Sequence, residues 1–271
     1  MANTTFDESG QALSSADDAF VGSVLGPLID DQAYVGDELI GYAEYGVVDH
    51  VEVFGSLPLK YSRVNWNLAT DLMSPVQHTS IGPGDLSGGV RAGIKEGGFA
   101  GSAALAVRLP LYDVRPQALN QGPGNADFFD DKVPQGEGTV DVELPLGLGY
   151  GGGLGWVQFE GAPRVRSGGY SIVTSGRFQA GIKPISQVAV FGAVDGRTFL
   201  PTGTREFVFR DEFDKGPTII DRVKSLSAGG GLLIKPLDDE PYGGIVEATT
   251  MLMGARASKT SAFQLSFFME L

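Results

Sequence analysis

Charged side chains recur at one parity along this chain. Glu52, Asp85, Arg91, Arg108, Asp141, Glu143, Glu160, Arg164, Arg166, Arg177, Asp195 and Glu247 all fall on the same face of segments that alternate residue by residue. Guanidinium and carboxylate groups gathered around one interior can act in two ways. They can shape a field across an opening and sort what passes, or they can pair across a narrow interior and fill it. The residues leave both open. Catalytic chemistry is poorly supplied by comparison. The histidines are His50, read at a strand start on the inward face, and His78, read in a long connection. A triad or a metal site would need further groups converging on them. No Gly-x-Ser-x-Gly elbow occurs, and the absence of cysteine removes thiol catalysis, disulfides and zinc-thiolate centres. No catalytic residue, metal ligand or cofactor is therefore expected, and the chain does not read as an enzyme. Acidic runs at Asp30-Asp31, Asp130-Asp131 and Asp238-Asp239-Glu240 lack the spacing of a calcium loop and read as solvated charge.

Strands must position these charges. Over 138–150, Val140, Val142, Leu144, Leu146, Leu148 and Tyr150 form one face, while Thr139, Asp141, Glu143, Pro145, Gly147 and Gly149 form the other. The same alternation predicts strands at 36–45, 49–60, 84–95, 99–112, 137–150, 154–167, 170–183, 186–198, 223–235, 242–254 and 260–271. No Asp, Glu, Lys or Arg falls in the middle of the apolar parity. A soluble sandwich would bury that face in a core; a membrane barrel turns it to lipid and keeps the polar face inside. The polar face mixes Gly, Ala and Ser with both signs of charge, which suits a narrow interior better than a solvated surface rich in long Lys, Glu and Thr.

Composition agrees with that choice. The chain has 271 residues and a formal charge of -13, with no basic stripe, so nucleic acid is excluded as a partner. Every apolar run is broken well short of the roughly 18 to 20 residues that a membrane helix needs. Much of the glycine lies inside the alternating segments, where it permits close packing or sharp curvature. Residues 1–20 carry no basic start and no apolar stretch, so a mature envelope chain with an added Met1 is expected.

Connection lengths give the predicted strands a direction. Short turns near 46–48, 96–98, 151–153, 184–185 and 236–241 fall at one end, and long connections near 61–83, 113–136 and 199–222 at the other. Outer-membrane barrels have short periplasmic turns and longer outer loops. With the C-terminus placed in the periplasm, segment 36–45 starts outside, so a further strand or a threaded tail must precede it. Residues 20–28 (FVGSVLGPL) are the candidate strand. The expected fold is all-β, a single antiparallel up-and-down transmembrane β-barrel of twelve strands. Residues 1–32 form a tail with the candidate first strand, and 33–271 form the barrel.

Short repeats mark the rims. AGIKEGG at 92–98, AGIKPIS at 180–186 and LLIKPLD at 232–238 each end a strand at the inner rim. Ile94, Ile182 and Ile234 face out there, while Lys95, Lys183 and Lys235 face the mouth; Tyr45, Tyr150 and Leu271 complete the expected membrane interface. Leu-Pro-Leu at 57–59, 109–111 and 144–146 predicts bulges or breaks, because proline offers no ladder donor. Phe128-Phe129, in the longest connection, could constrict the mouth or contact a partner.

The run Tyr45-Gly46-Val47-Val48-Asp49-His50-Val51-Glu52-Val53 resembles the tight turn and second strand of a bacterial outer-membrane β-barrel family of transporters, of the phenol-degradation meta-pathway type. Gly84-Asp85-Leu86 and 138–144 look like further landmarks, and His50 stands where the family more usually has Arg. The resemblance spans roughly residues 36–271 and implies passage of small, often apolar compounds. It carries over no catalytic residue. The last eight residues, 264–271, are similar to the C-terminal signal read by the barrel-assembly machinery, with Ser266 in place of Gly and Leu271 in place of an aromatic. Together these place the chain in the Gram-negative cell envelope, in the bacterial outer membrane, as a porin-like channel or transporter for a small molecule. The alternative is a non-conducting scaffold whose loops or tail bind envelope proteins in an adhesion or motility assembly. Outer-membrane lipid and lipopolysaccharide are the expected partners, with a small-molecule solute or envelope proteins beside them.

Overall fold

A computed structural model of the chain describes residues 5–6, 29–68, 76–112, 138–202, 224–235, 242–255, 257–258 and 261–269. Among these there are strands and turns and no helix. In chain order the strands are β1 (Thr5–Phe6), β2 (Ile29–Val48), β3 (Val51–Leu68), β4 (Val76–Pro83), β5 (Asp85–Glu96), β6 (Phe99–Pro110), β7 (Asp141–Glu143) and β8 (Leu146–Gly152). They continue with β9 (Gly155–Arg166), β10 (Ile172–Ile185), β11 (Val188–Leu200), β12 (Lys224–Ile234), β13 (Tyr242–Ala255), β14 (Ala257–Ser258) and β15 (Ser261–Met269). β1 and β14 form a separate two-stranded ribbon.

All other strands join one 13-stranded sheet, ordered β15-β13-β12-β11-β10-β9-β7-β6-β5-β3-β2. β4 extends the column of β5 along β3, and β8 extends the column of β7 between β6 and β9. Neighbours are antiparallel throughout, so the edge strands β2 and β15 point the same way, and no pairing joins them among the described residues. Segment 20–28, the Phe128-Phe129 pair, the acidic runs at 130–131 and 238–240, and Leu271 lie outside the described residues.

Several boundaries differ from those that the alternation predicts. β2 starts at Ile29, before the expected barrel start at 33, so Asp30 and Asp31 belong to a strand instead of a loop. The first short turn falls on Asp49-His50 instead of 46–48. Gly46 lies at a bulge in the β2–β3 register, and His50 takes the left-handed turn conformation at φ 68°, so it is not at a strand start. The expected connection 61–83 is largely strand, and His78 lies in β4 opposite Val64. The proline sites behave as their missing donor requires. β3 changes partner from β5 to β4 around Pro58, β6 ends at Pro110, and Pro145 separates β7 from β8.

The packing is inverted relative to a water-soluble domain. Among the described residues the buried apolar side chains are few and mostly small, namely Ala104, Ala106, Ala189 and Ala193 with Val173, Tyr170 and Phe191. The large ones stand out. Leu105, Leu148, Phe159, Phe178 and Phe267 are each at least half exposed, as are Tyr45, Tyr150, Ile94 and Ile182, and Ile234 is 43% exposed. A soluble monomer seldom exposes a contiguous apolar patch above a few hundred Å². Here the patch runs along every long column.

The charged face is concave. Arg177 aligns with Asp195, Asp195 with Ser227 and Ser227 with Met251, so Glu247 lies three columns away and four residues out of register. On a flat sheet about 14 Å across and about 13 Å along the strands would separate the two Cα atoms by about 19 Å. Extended Arg and Glu side chains together reach only about 12 Å. Yet Arg177 Nη2 and Glu247 Oε1 are 2.7 Å apart. The sheet must curl around this pair.

Candidate functional site

Among the described residues, the charges of the concave face gather mainly in three groups, with Glu143, Glu160 and Arg197 beside them. The first centres on Arg91 in β5, whose register partner in β3 is Glu52. Arg91 Nη1 donates to Glu52 Oε1 at 2.6 Å and to Glu44 Oε2 at 3.5 Å, while Nη2 donates to the Tyr42 hydroxyl at 3.4 Å. Tyr42 in turn donates to Glu44 at 2.7 Å, and the guanidinium lies 5.0 Å from the Phe54 ring centre. Adjacent strands put these groups within reach, and charge-assisted hydrogen bonds hold them.

The second centres on Arg177. Its Nη1 donates to Asp195 at 3.1 Å, and its Nη2 to Glu247 at 2.7 Å and to Gln179 at 3.4 Å. The Arg177–Glu247 pair crosses β11 and β12. Beneath it the inward residues of β12 are small, Ser225, Ser227, Gly229 and Gly231, which leaves room for two long side chains to meet.

The third lies toward the end with the long connections. Arg108 donates to Asp85 at 3.4 Å, and the Tyr112 hydroxyl donates to the same carboxylate at 2.6 Å. Asp141 aligns with Arg108 on one side and Arg166 on the other, forms an ion pair with Arg164 at 3.6 Å, and is only 2% exposed. Arg166 is buried with its guanidinium 4.4 Å from the Tyr170 ring centre. Burying this many charges is tolerable because each has an opposite charge or a ring face beside it.

A cavity of about 560 Å³ opens between the groups. Arg91, Glu143, Glu160, Arg177, Asp195 and Arg197 supply its charges, and Ser102, Ala104, Ser175, Ser225 and Ser227 keep it open by being small. Its walls span β5 to β12, about 29 Å of a flat sheet at the usual strand spacing, so the curl is what brings them around one space. Glu143 and Glu160 face it without an ion pair among the described residues; Glu160 accepts a hydrogen bond from Gln158 at 3.2 Å.

Of the charged residues singled out in the sequence, Arg91, Glu143, Glu160, Arg177 and Asp195 line the cavity. Glu52 and Glu247 hold two of those arginines from behind. Asp85, Arg108, Asp141, Arg164 and Arg166 form the separate group near the long connections. Glu44, Tyr42 and Arg197 join the site beyond those residues. Parity was the available signal: Tyr45 facing out requires Glu44 to face in, and Arg197 follows Asp195 by two.

No family model matches the chain, and no curated protein matches it. Among solved structures it is similar to the COG4313 outer membrane channel from Pseudomonas putida F1, with a TM-score of 0.62 at 12% identity. The match covers 97% of this chain and 88% of that one. At so low an identity the likeness shows architecture alone: the two chains share an all-β antiparallel fold.

Proposed function

We propose that the chain is a bacterial outer-membrane β-barrel acting as a passive channel or transporter for a small molecule. The carrying observation is the polar cavity, walled by consecutive strands whose other face is apolar and exposed. Lipid outside and water inside satisfy both faces at once. Strands β9 to β13, of 11 to 14 residues, are long enough to cross a bilayer at the usual tilt. Because β2 and β15 run the same way, one more strand between them closes the barrel with antiparallel pairing throughout, giving twelve columns. Segment 20–28 is the candidate that the sequence offers. The resemblance to phenol-degradation barrels suggests small, often apolar cargo, whereas the charged cavity suits a polar route.

Liposome swelling separates a channel from a sealed scaffold. Vesicles carrying the refolded chain are expected to swell in isosmotic small sugars or amino acids, well above protein-free vesicles. A correctly inserted, heat-modifiable protein that gives no swelling would remove the channel reading.

A further inference from the structure

We propose that this cavity favours cations, and that Glu143 and Glu160 set the preference; the inference rests on the channel reading above. Arg91 is shared by Glu44 and Glu52, and Arg177 by Asp195 and Glu247. Each of these arginines is already outnumbered by its own carboxylates. Glu160 aligns with Arg177 on the neighbouring strand, close enough to compete for it. The guanidinium turns away instead, toward Asp195 and Glu247, and leaves Glu160 with no ion pair among the described residues.

Six carboxylates thus stand in or directly behind the cavity wall against Arg91, Arg177 and Arg197. Charged side chains around a low-dielectric passage focus their field into it, and acidic ones select cations. Two groups oppose this bias. Arg108, Arg164 and Arg166 outnumber Asp85 and Asp141 by one near the long connections, and Arg164 aligns with Glu143; but the Arg164 side chain is largely buried and turned to Asp141, and Arg166 is buried against the Tyr170 ring. Lys95 and Lys183 at the other end are exposed, where salt screens them within about 8 Å at physiological strength. The carboxylates act as a field on a passing positive charge, an alkali cation or a small organic ammonium, and no coordination shell is required.

The test is the reversal potential of the full chain in neutral phosphatidylcholine bilayers under a tenfold potassium chloride gradient. The potassium-to-chloride permeability ratio is expected above one. Glu143→Gln and Glu160→Gln should each lower it by roughly two- to fivefold, the effect of one unit charge about 8 Å away in water. Arg177→Gln, which frees Asp195 and Glu247, should raise it. Heat-modifiable gel mobility shows which variants have folded, and the opposite sign expected for Arg177 keeps the proposal testable if one glutamine variant fails. A wild-type ratio of one or less, or a ratio that neither glutamine variant moves, overturns the proposal. No current at all would instead overturn the channel reading beneath it.

Discussion

Phe178→Arg is expected to destabilise the lipid-embedded protein by about 2 to 4 kcal/mol, the cost of a basic side chain facing lipid at mid-depth. Phe178 lies at the middle of β10, is 50% exposed, and aligns with Phe159 and Val194 on the same outward face. Two companion variants make the result specific. Ile182→Arg sits four residues nearer the short turn on the same face, so its cost should fall to about 0 to 1 kcal/mol at the interface. Gln179→Arg points inward beside Arg177 and should scarcely affect membrane insertion. Urea unfolding in lipid vesicles reads all three. Equal costs at Phe178, Ile182 and Gln179 would show that the outward face does not meet a hydrocarbon layer.

Arg177→Met is expected to cost about 1 to 3 kcal/mol, below the full penalty for breaking a buried ion pair because the pair is only half-buried at the cavity wall. Glu247 is the group left behind, with a side chain only 9% exposed, and Asp195 loses its partner as well. Methionine keeps most of the arginine's length, so the loss reports on charge more than on packing. The double variant Arg177→Met/Glu247→Leu should recover a large part of the stability, since an apolar pair can replace a buried ion pair at little cost. Unfolding of the single and double variants in lipid checks both expectations. If Arg177→Met costs less than about 0.5 kcal/mol, the level of an ordinary surface change, the pair does not brace the curl.

The alternation over 138–150 reveals its strand because a two-residue period needs only local information. The inverted packing is visible for the same reason: most leucines occupy one parity and the charges the other, although Phe54 and Phe191 lie on the charged side. Proline was informative at 58, 110 and 145, where a missing donor has a direct effect on pairing. Turn placement was less legible. Gly46 suggested a turn, but it serves a bulge, and the chain reverses at Asp49-His50. β4 is not legible locally because VQHTSIGP alternates weakly and follows a polar stretch, while its partner β3 extends far enough to recruit it.

The candidate site was legible in its faces and illegible in its partners. Parity sends Arg177, Asp195 and Glu247 inward, yet nothing local indicates that Arg177 would meet a residue 70 positions away. That contact depends on the curl of four columns and on the glycines and serines of β12 making space. The same long-range geometry decides that Arg177 abandons its neighbour Glu160. Sequence therefore located the charges without showing which would be neutralised and which would face the cavity alone.

Single-channel recording of the refolded full chain in planar bilayers tests the central claim most directly. The proposed channel, with the polar cavity open across the membrane, predicts discrete conductance steps on insertion, repeated from one insertion to the next. Membranes that stay silent while heat-modifiable mobility shows the protein folded would contradict it, and would mean that the paired charges seal the interior.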